Sequence, residues 1–134
     1  MWNKDFSEKI IYFLSEKRGR NIKMNAVVFT KSVQEYEMLS GILADELPEA
    51  KVEHGKLDGH YHLERKYDIA VIGIDGALGM ELVYNYRETF KCIIIWITDD
   101  PYFARMAIRK HIFDFIVRPL SETWFRETLK NLRK

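Results

Sequence analysis

The sequence is poor in the features that mark most other classes of protein. It has one cysteine, Cys92, among 134 residues, so no intramolecular disulfide can form and a reducing, cytoplasmic setting is expected. Cys92 opens the apolar run CIIIWI and reads as a small buried hydrophobe rather than a reactive thiol. No apolar stretch reaches the roughly 20 residues that a membrane-spanning helix needs. The run Ile10 to Leu14 is too short for a signal-peptide core and follows the acidic Asp5 and Glu8, so a soluble, unexported chain is expected. Charge of one sign is also missing, because 21 basic and 20 acidic residues leave a net +1, which argues against a polyanion-binding surface. There is no internal repeat, low-complexity tract or Pro/Gly/Ser linker to divide the chain. With 47% hydrophobic residues, one domain around a single core is expected.

Several kinds of chemistry lack their residues. Gly73, Gly76 and Gly79 do not have the G-x-G-x-x-G spacing of a dinucleotide loop, and no Walker lysine follows them. His54, His60, His62 and His111 suggest a metal, yet alternating histidines share a face only on a strand, and neither cysteine nor a firmly placed carboxylate completes a tetrahedron. No order or spacing supports a Ser/His/Asp or Cys/His arrangement. No cofactor and no metal are expected, and the chain is not expected to be an enzyme.

What remains is a regular alternation. Asn25 to Thr30 (NAVVFT) is a β-branched apolar run, and Ser32-Val33-Gln34-Glu35 follows as a capping box, which predicts a strand passing directly into a helix. Val33, Tyr36, Leu39, Ile42 or Leu43 and Leu47 give that helix its apolar positions, and Pro48 ends it. Val52 falls in a short second strand, and Gly55 to Lys66 reads as a loop with a short helix. Tyr67 to Ile74 (YDIAVIGI) is a third strand, followed by a helix with Met80, Leu82, Val83 and Tyr86. Cys92 to Thr98 (CIIIWIT) is a fourth, and its unbroken hydrophobicity suits a strand covered on both faces. Asp99-Asp100-Pro101 then starts a helix bearing Phe103, Met106, Ala107 and Ile108. Phe113 to Val117 is the fifth strand, and Ser121 caps a last helix with Trp124, Phe125, Leu129 and Leu132. This order predicts an α/β fold, a doubly wound five-stranded parallel sheet. Ligands of such sheets gather at the carboxyl ends of the strands, here Thr30-Lys31, Gly73-Ile74, Thr98 and Arg118.

Those same residues give the chain a resemblance to the receiver domain of bacterial two-component response regulators. YDIAVIGI resembles the family's third strand, GMEL (Gly79 to Leu82) the start of its third helix, IIIWIT its fourth strand and FDFIVRP its fifth. The last is most similar to receivers that precede LytTR-type DNA-binding domains. The resemblance spans residues 24–134 and is strongest from Tyr67 onward. It implies a flavodoxin-like fold in which an aspartate ending the third strand accepts a phosphoryl group. It also implies two acids after the first strand that hold magnesium, a hydroxyl residue ending the fourth, and a lysine before a cis-proline after the fifth. Thr98 falls at the hydroxyl position and Phe115 at the family's aromatic switch position.

The chain departs from that pattern where the chemistry resides. Gly73 stands at the phosphoacceptor position, Thr30 and Lys31 stand for the acidic pair, and Arg118 replaces the lysine. Without the acids there is no oxygen cage for a hard divalent cation. Lys31 and Arg118 are then expected to be cations without a carboxylate partner. Either the pocket is solvated and vestigial, or Lys31, Thr98 and Arg118 hold a small anion or an acidic side chain through charge-assisted hydrogen bonds. Asp75 is the candidate for a displaced acceptor, although transfer to it would lack the cation that neutralises developing charge.

Two further features bear on partners. Within residues 1–23, Trp2, Phe6, Ile10, Phe13 and Leu14 recur at helical intervals and a basic turn ends at Gly19. An additional N-terminal amphipathic helix is expected, either folded onto its own domain or serving as a dimer contact. The resemblance also implies a pairing surface on the helix after the fourth strand, the fifth strand and the last helix. Arg105, Arg109, Asp114 and Arg126 give it both signs of charge, which suits pairing with a second copy. The reading as a whole is of a degenerate receiver that works without phosphorylation by binding protein. It would bind neither membrane nor nucleic acid itself, and would act as an adaptor or as the input part of a transcription regulator.

Overall fold

The structure, a computed structural model, describes residues 24–57, 67–89 and 91–132. Five strands run in the order β1 (Met24–Thr30), β2 (Ala50–His54), β3 (Ile69–Gly73), β4 (Ile93–Thr98) and β5 (Asp114–Val117). All neighbours are parallel, and the spatial order is β2-β1-β3-β4-β5. The helices are α1 (Val33–Glu46), α2 (Gly76–Glu88), α3 (Ala104–Arg109) and α4 (Glu122–Asn131). The helix expected within residues 1–23, and most of the loop and short helix expected before β3, lie outside the described residues.

The layering follows from the two-residue period of a strand, which sends alternate side chains to opposite faces. Ala26 and Val28, Ile69 and Val71, and Ile93, Ile95 and Ile97 share one face. There they meet Leu39, Ile42 and Leu43 of α1 and Phe125 and Leu129 of α4. Val27 and Phe29, Ala70 and Ile72, and Ile94 and Trp96 point the other way, onto Leu82, Val83 and Tyr86 of α2. Every residue of β3 and β4 is buried, which is why their sequences show no alternation.

Local signals fix the helix starts. The Ser32 and Ser121 hydroxyls accept from the backbone N–H groups of Glu35 and Trp124. Asp100 accepts from Tyr102 N–H and opens a 3₁₀ turn, Pro101–Phe103, ahead of α3. Three expected core residues face solvent instead: Val33, Ile108 and Trp124. Trp124 is 70% exposed, because α4 buries the i, i+4 pair Phe125 and Leu129 and position 124 falls beside that stripe. In α3 only Ala107 is buried.

Candidate functional site

The sheet order reverses direction between β1 and β3, and the crevice outside the carboxyl ends of the strands at such a point is where open sheets bind ligands. Thr30 is in register with Gly73, and Thr98 with Val117, while Arg118 N–H donates to Thr98 O. Thr30, Gly73, Thr98 and Arg118 therefore stand at one level. Thr30, Gly73 and Arg118 line a cleft of about 250 Å³ together with Lys31, Ser32, Glu35, Ile74, Asp75 and Asp99, and the fully buried Thr98 reaches it only through its bond to Asp75.

Arg118 organises the cleft. Its Nε donates to Glu35 Oε1 at 2.9 Å and its Nη2 to Glu35 Oε2 at 3.0 Å. Nη2 also donates to Gly73 O at 2.8 Å. Nη1 lies 3.5 Å from Asp75 Oδ2 and 3.6 Å from Asp99 Oδ1. A planar guanidinium can engage both oxygens of one carboxylate while reaching a carbonyl and two further acids; a lysine ammonium has no such fork. The peptide bond between Arg118 and Pro119 is cis, as the resemblance implies for this turn.

Two buried threonines hold the acids. Thr30 Oγ1 donates to Glu35 Oε2 and accepts from Ser32 N–H. Thr98 Oγ1 donates to Asp75 Oδ1 and accepts from Asp100 N–H, and Asp75 Oδ1 accepts in addition from Asp99 N–H at 2.8 Å. Burial pushes the Glu35 carboxyl up, but the hydrogen bonds from Arg118 and Thr30 and the guanidinium charge outweigh it and leave the group below the usual carboxylate range. Asp75 is also held low: burial raises it, and the Thr98 and Asp99 hydrogen bonds with the Arg118 charge more than offset that. The Glu35 hydrogen bond holds Arg118 more firmly protonated than a free guanidinium, against the opposing effect of burial.

This geometry corrects the expectation that Lys31 and Arg118 are both unpartnered. Lys31 lies exposed on the rim, whereas Arg118 is matched by Glu35 and flanked by Asp75 and Asp99. Three carboxylates and two cations now line the cleft, which removes the electrostatic basis for a small-anion site. The carboxylates converge on the guanidinium, and among the described residues no three His, Cys, Asp or Glu side chains are grouped to hold a metal ion. Asp75 precedes α2 at its N-cap but makes no capping hydrogen bond, since its side chain turns toward Thr98. Asp99, expected as a cap, instead faces Arg118.

Glu35 is the residue that sequence reasoning missed. As the last member of the capping box its side chain is expected to return to Ser32 N–H, but it crosses to Arg118 and Thr30 instead. The available signal was an arginine at the edge of a cleft with no acid assigned to it.

The other candidates disperse. Phe115 is half-buried, with its ring edge-on to Trp96 at 5.7 Å. Arg105 and Arg109 are exposed. Asp114 and Arg126, expected on the pairing surface, have partners within the fold. Asp114 accepts from Thr128 Oγ1 and Phe115 N–H, and Arg126 bridges Asp45, Glu46 and Glu122. Of the histidines, His54 stacks on Tyr36 at 4.0 Å, and His60 and His62 lie outside the described residues. Burial pushes the Cys92 thiol up to about 12, helped by the charge of Asp68. Its Sγ donates to Tyr67 O at 2.9 Å.

No protein-family model and no curated protein matches the chain. Solved structures do. The response regulatory domain of MrkE from Klebsiella pneumoniae is 22% identical with a TM-score of 0.64, covering 81% of this chain and 94% of that one. A signal receiver domain of a two-component signal transduction protein (histidine kinase) from Clostridium thermocellum is 16% identical with a TM-score of 0.70, over 83% and 98%. The receiver domain of AraT, a response regulator from Geobacillus stearothermophilus, is 20% identical with a TM-score of 0.68, over 82% and 92%. The chain has the receiver fold. That likeness is one of fold, and the cleft described above is this chain's own.

Proposed function

We propose that the chain is a receiver-fold regulatory module that works by binding protein, and that it neither accepts a phosphoryl group nor catalyses a reaction. The observation that carries this reading is the occupancy above Gly73. A Cβ added there would lie 2.9 Å from Glu35 Oε2 and 3.2 Å from Arg118 Nη2. The acceptor position thus has no carboxylate, and the volume one would fill is taken by an ion pair. Asp75, the nearest alternative, has Oδ1 bonded twice and Oδ2 facing Arg118, so attack on a phosphoryl donor would require those contacts to break.

Exposed apolar side chains support a binding role. Tyr102, Ile108, Val117 and Trp124 are all exposed, and they belong to the successive elements from the 3₁₀ turn through α3 and β5 to α4. Large exposed apolar groups on neighbouring elements fit a protein contact, with a partner or with a second copy. No helix among the described residues is long and apolar enough to cross a membrane, in keeping with a cytoplasmic role as an adaptor or as the input module of a transcription regulator. Incubating the full chain with acetyl phosphate and Mg²⁺, followed by intact-mass measurement, tests the reading. The expected result is an unmodified mass. A stoichiometric phosphoryl adduct, mapped to Asp75 or any other residue, would overturn it.

A further inference from the structure

We infer that Glu35 has taken over, from helix α1, the place of the carboxylate missing at position 73, and that the Glu35–Arg118 pair is an internal latch tying α1, the end of β3 and the turn after β5 into one arrangement. The proposed function requires that no residue of the chain accept a phosphoryl group and says nothing of what holds Arg118, so the latch goes beyond it and can fail alone.

Space, reach and geometry each point to this relocation. The Glu35 carboxylate and any side chain on Gly73 compete for one volume, since the added Cβ would come within 2.9 Å of Oε2. Gly73 has no positive φ, so its backbone suits any residue, and what a side chain there would meet is Glu35 Oε2, Arg118 Nη2 and the Phe29 carbonyl. Glu35 reaches the spot because Ser32 caps α1 directly behind Thr30, and the Thr30 hydroxyl then fixes Oε2. The guanidinium binds both Glu35 oxygens and the Gly73 carbonyl together. Its contacts with the more exposed Asp75 and Asp99 are longer, at 3.5 and 3.6 Å, and neither acid is among the atoms nearest the added Cβ. The negative charge has in effect moved from a strand end to the first turn of the neighbouring helix. Because Arg118 directly precedes Pro119 and follows the exposed Val117, the latch also sets where the turn after β5 sits relative to α1.

The test uses four full-length chains: the parent, Glu35→Ala, Gly73→Asp, and the two substitutions combined. The readouts are the thermal midpoint and the ¹H–¹⁵N resonance of Arg118 Nε–H with its hydrogen-exchange rate. Glu35→Ala should speed Arg118 Nε–H exchange roughly tenfold or more as the opening free energy falls. Gly73→Asp should lower the midpoint, because two carboxylates then compete for one guanidinium and one space. The combined variant should recover at least half of that loss and return the Arg118 resonance toward its parental position, with Asp in place of Gly73 now meeting the guanidinium.

Three results would overturn the latch: Gly73→Asp as stable as the parent, an Arg118 resonance indifferent to Glu35→Ala, or a combined variant carrying the sum of both losses. If Gly73→Asp alone does not fold, a folded combined variant supports the relocation, and a combined variant that also fails while Glu35→Ala folds refutes it. None of these readouts involves phosphoryl transfer. Failure of the latch leaves the proposed function standing, and an adduct on Asp75 would leave the latch standing.

Discussion

Replacing Glu35 by glutamine keeps the length of the side chain, removes its charge and turns one of its two accepting oxygens into a donor, so the charge and part of the hydrogen bonding to Arg118 and Thr30 are lost together. Exposed ion pairs contribute about 0.2–1 kcal/mol, whereas breaking a fully buried pair costs about 3–5 kcal/mol. The Glu35 and Arg118 side chains retain 14% and 21% of their exposure, so the pair belongs between these limits. A loss of about 2 kcal/mol is expected, partly softened because Asp75 and Asp99 continue to face the guanidinium. For a domain of this size that corresponds to a fall of about 6–10 °C in the thermal midpoint. Urea denaturation of the parent, Glu35→Gln, Arg118→Met and the double variant closes a cycle that separates pairing from local packing. The coupling energy should be about 1.5–2 kcal/mol. A value below about 0.5 kcal/mol would show that the two groups behave as an exposed pair, and the reasoning about the cleft would be wrong.

Acid should weaken the fold through the same groups. Glu35 and Asp75 are held below their ordinary values of 4.5 and 3.8, so the unfolded chain binds more protons than the folded one across that window. Their contribution is complete above the ordinary values and is lost as pH falls through the lower folded values. Denaturation midpoints should be level from neutrality down to about pH 5 and then decline, less steeply in Glu35→Gln; an identical acid limb in that variant would contradict the assignment. Gly79→Ala sets helix propensity against a close contact. Alanine favours a helix by about 1 kcal/mol, but its Cβ would lie 2.1 Å from Ile74 O, and overpacking costs about 1–3 kcal/mol. Net destabilisation in urea is expected, and a more stable variant would refute the close approach of α2 to the loop after β3. The Cys92 thiol should resist alkylation at pH 8 in the native chain and react fully in denaturant. Native reaction at the rate of a free thiol would contradict its burial.

Three of the strands and their carboxyl ends are legible in the sequence because each is an apolar run rich in β-branched residues and closed by a polar residue or glycine, whereas β2, AKVEH, shows only Val52. NAVVFT, YDIAVIGI and CIIIWIT can hardly be anything but covered strands once helices with caps alternate with them. Thr30, Gly73, Thr98 and Arg118 follow from that register, and the structure places them at one level. Side-chain choices among competing partners are less legible. The capping box predicts a return bond from Glu35 to Ser32 N–H, but a charge-assisted bond to a guanidinium is stronger than one to a neutral amide, and only the fold brings positions 35 and 118 together. Trp124 and Val33 face solvent for a simpler reason. A tally of apolar residues ignores the angle at which each leaves the helix, and both lie off the buried stripe. Asp114 and Arg126 look like surface charges in one dimension, and their partners Thr128 and Glu46 become neighbours only when α4 packs beside β5 and α1.

At the carboxyl edge of the sheet, the proposed reading puts an internal ion pair in place of phosphoryl acceptance. It is met most directly by ¹H–¹⁵N spectra of the full chain recorded with and without beryllofluoride and Mg²⁺. Unchanged resonances for Gly73, Asp75, Thr98 and Arg118 Nε–H are predicted. Saturable, magnesium-dependent shifts of those resonances, spreading to Phe115, would contradict it.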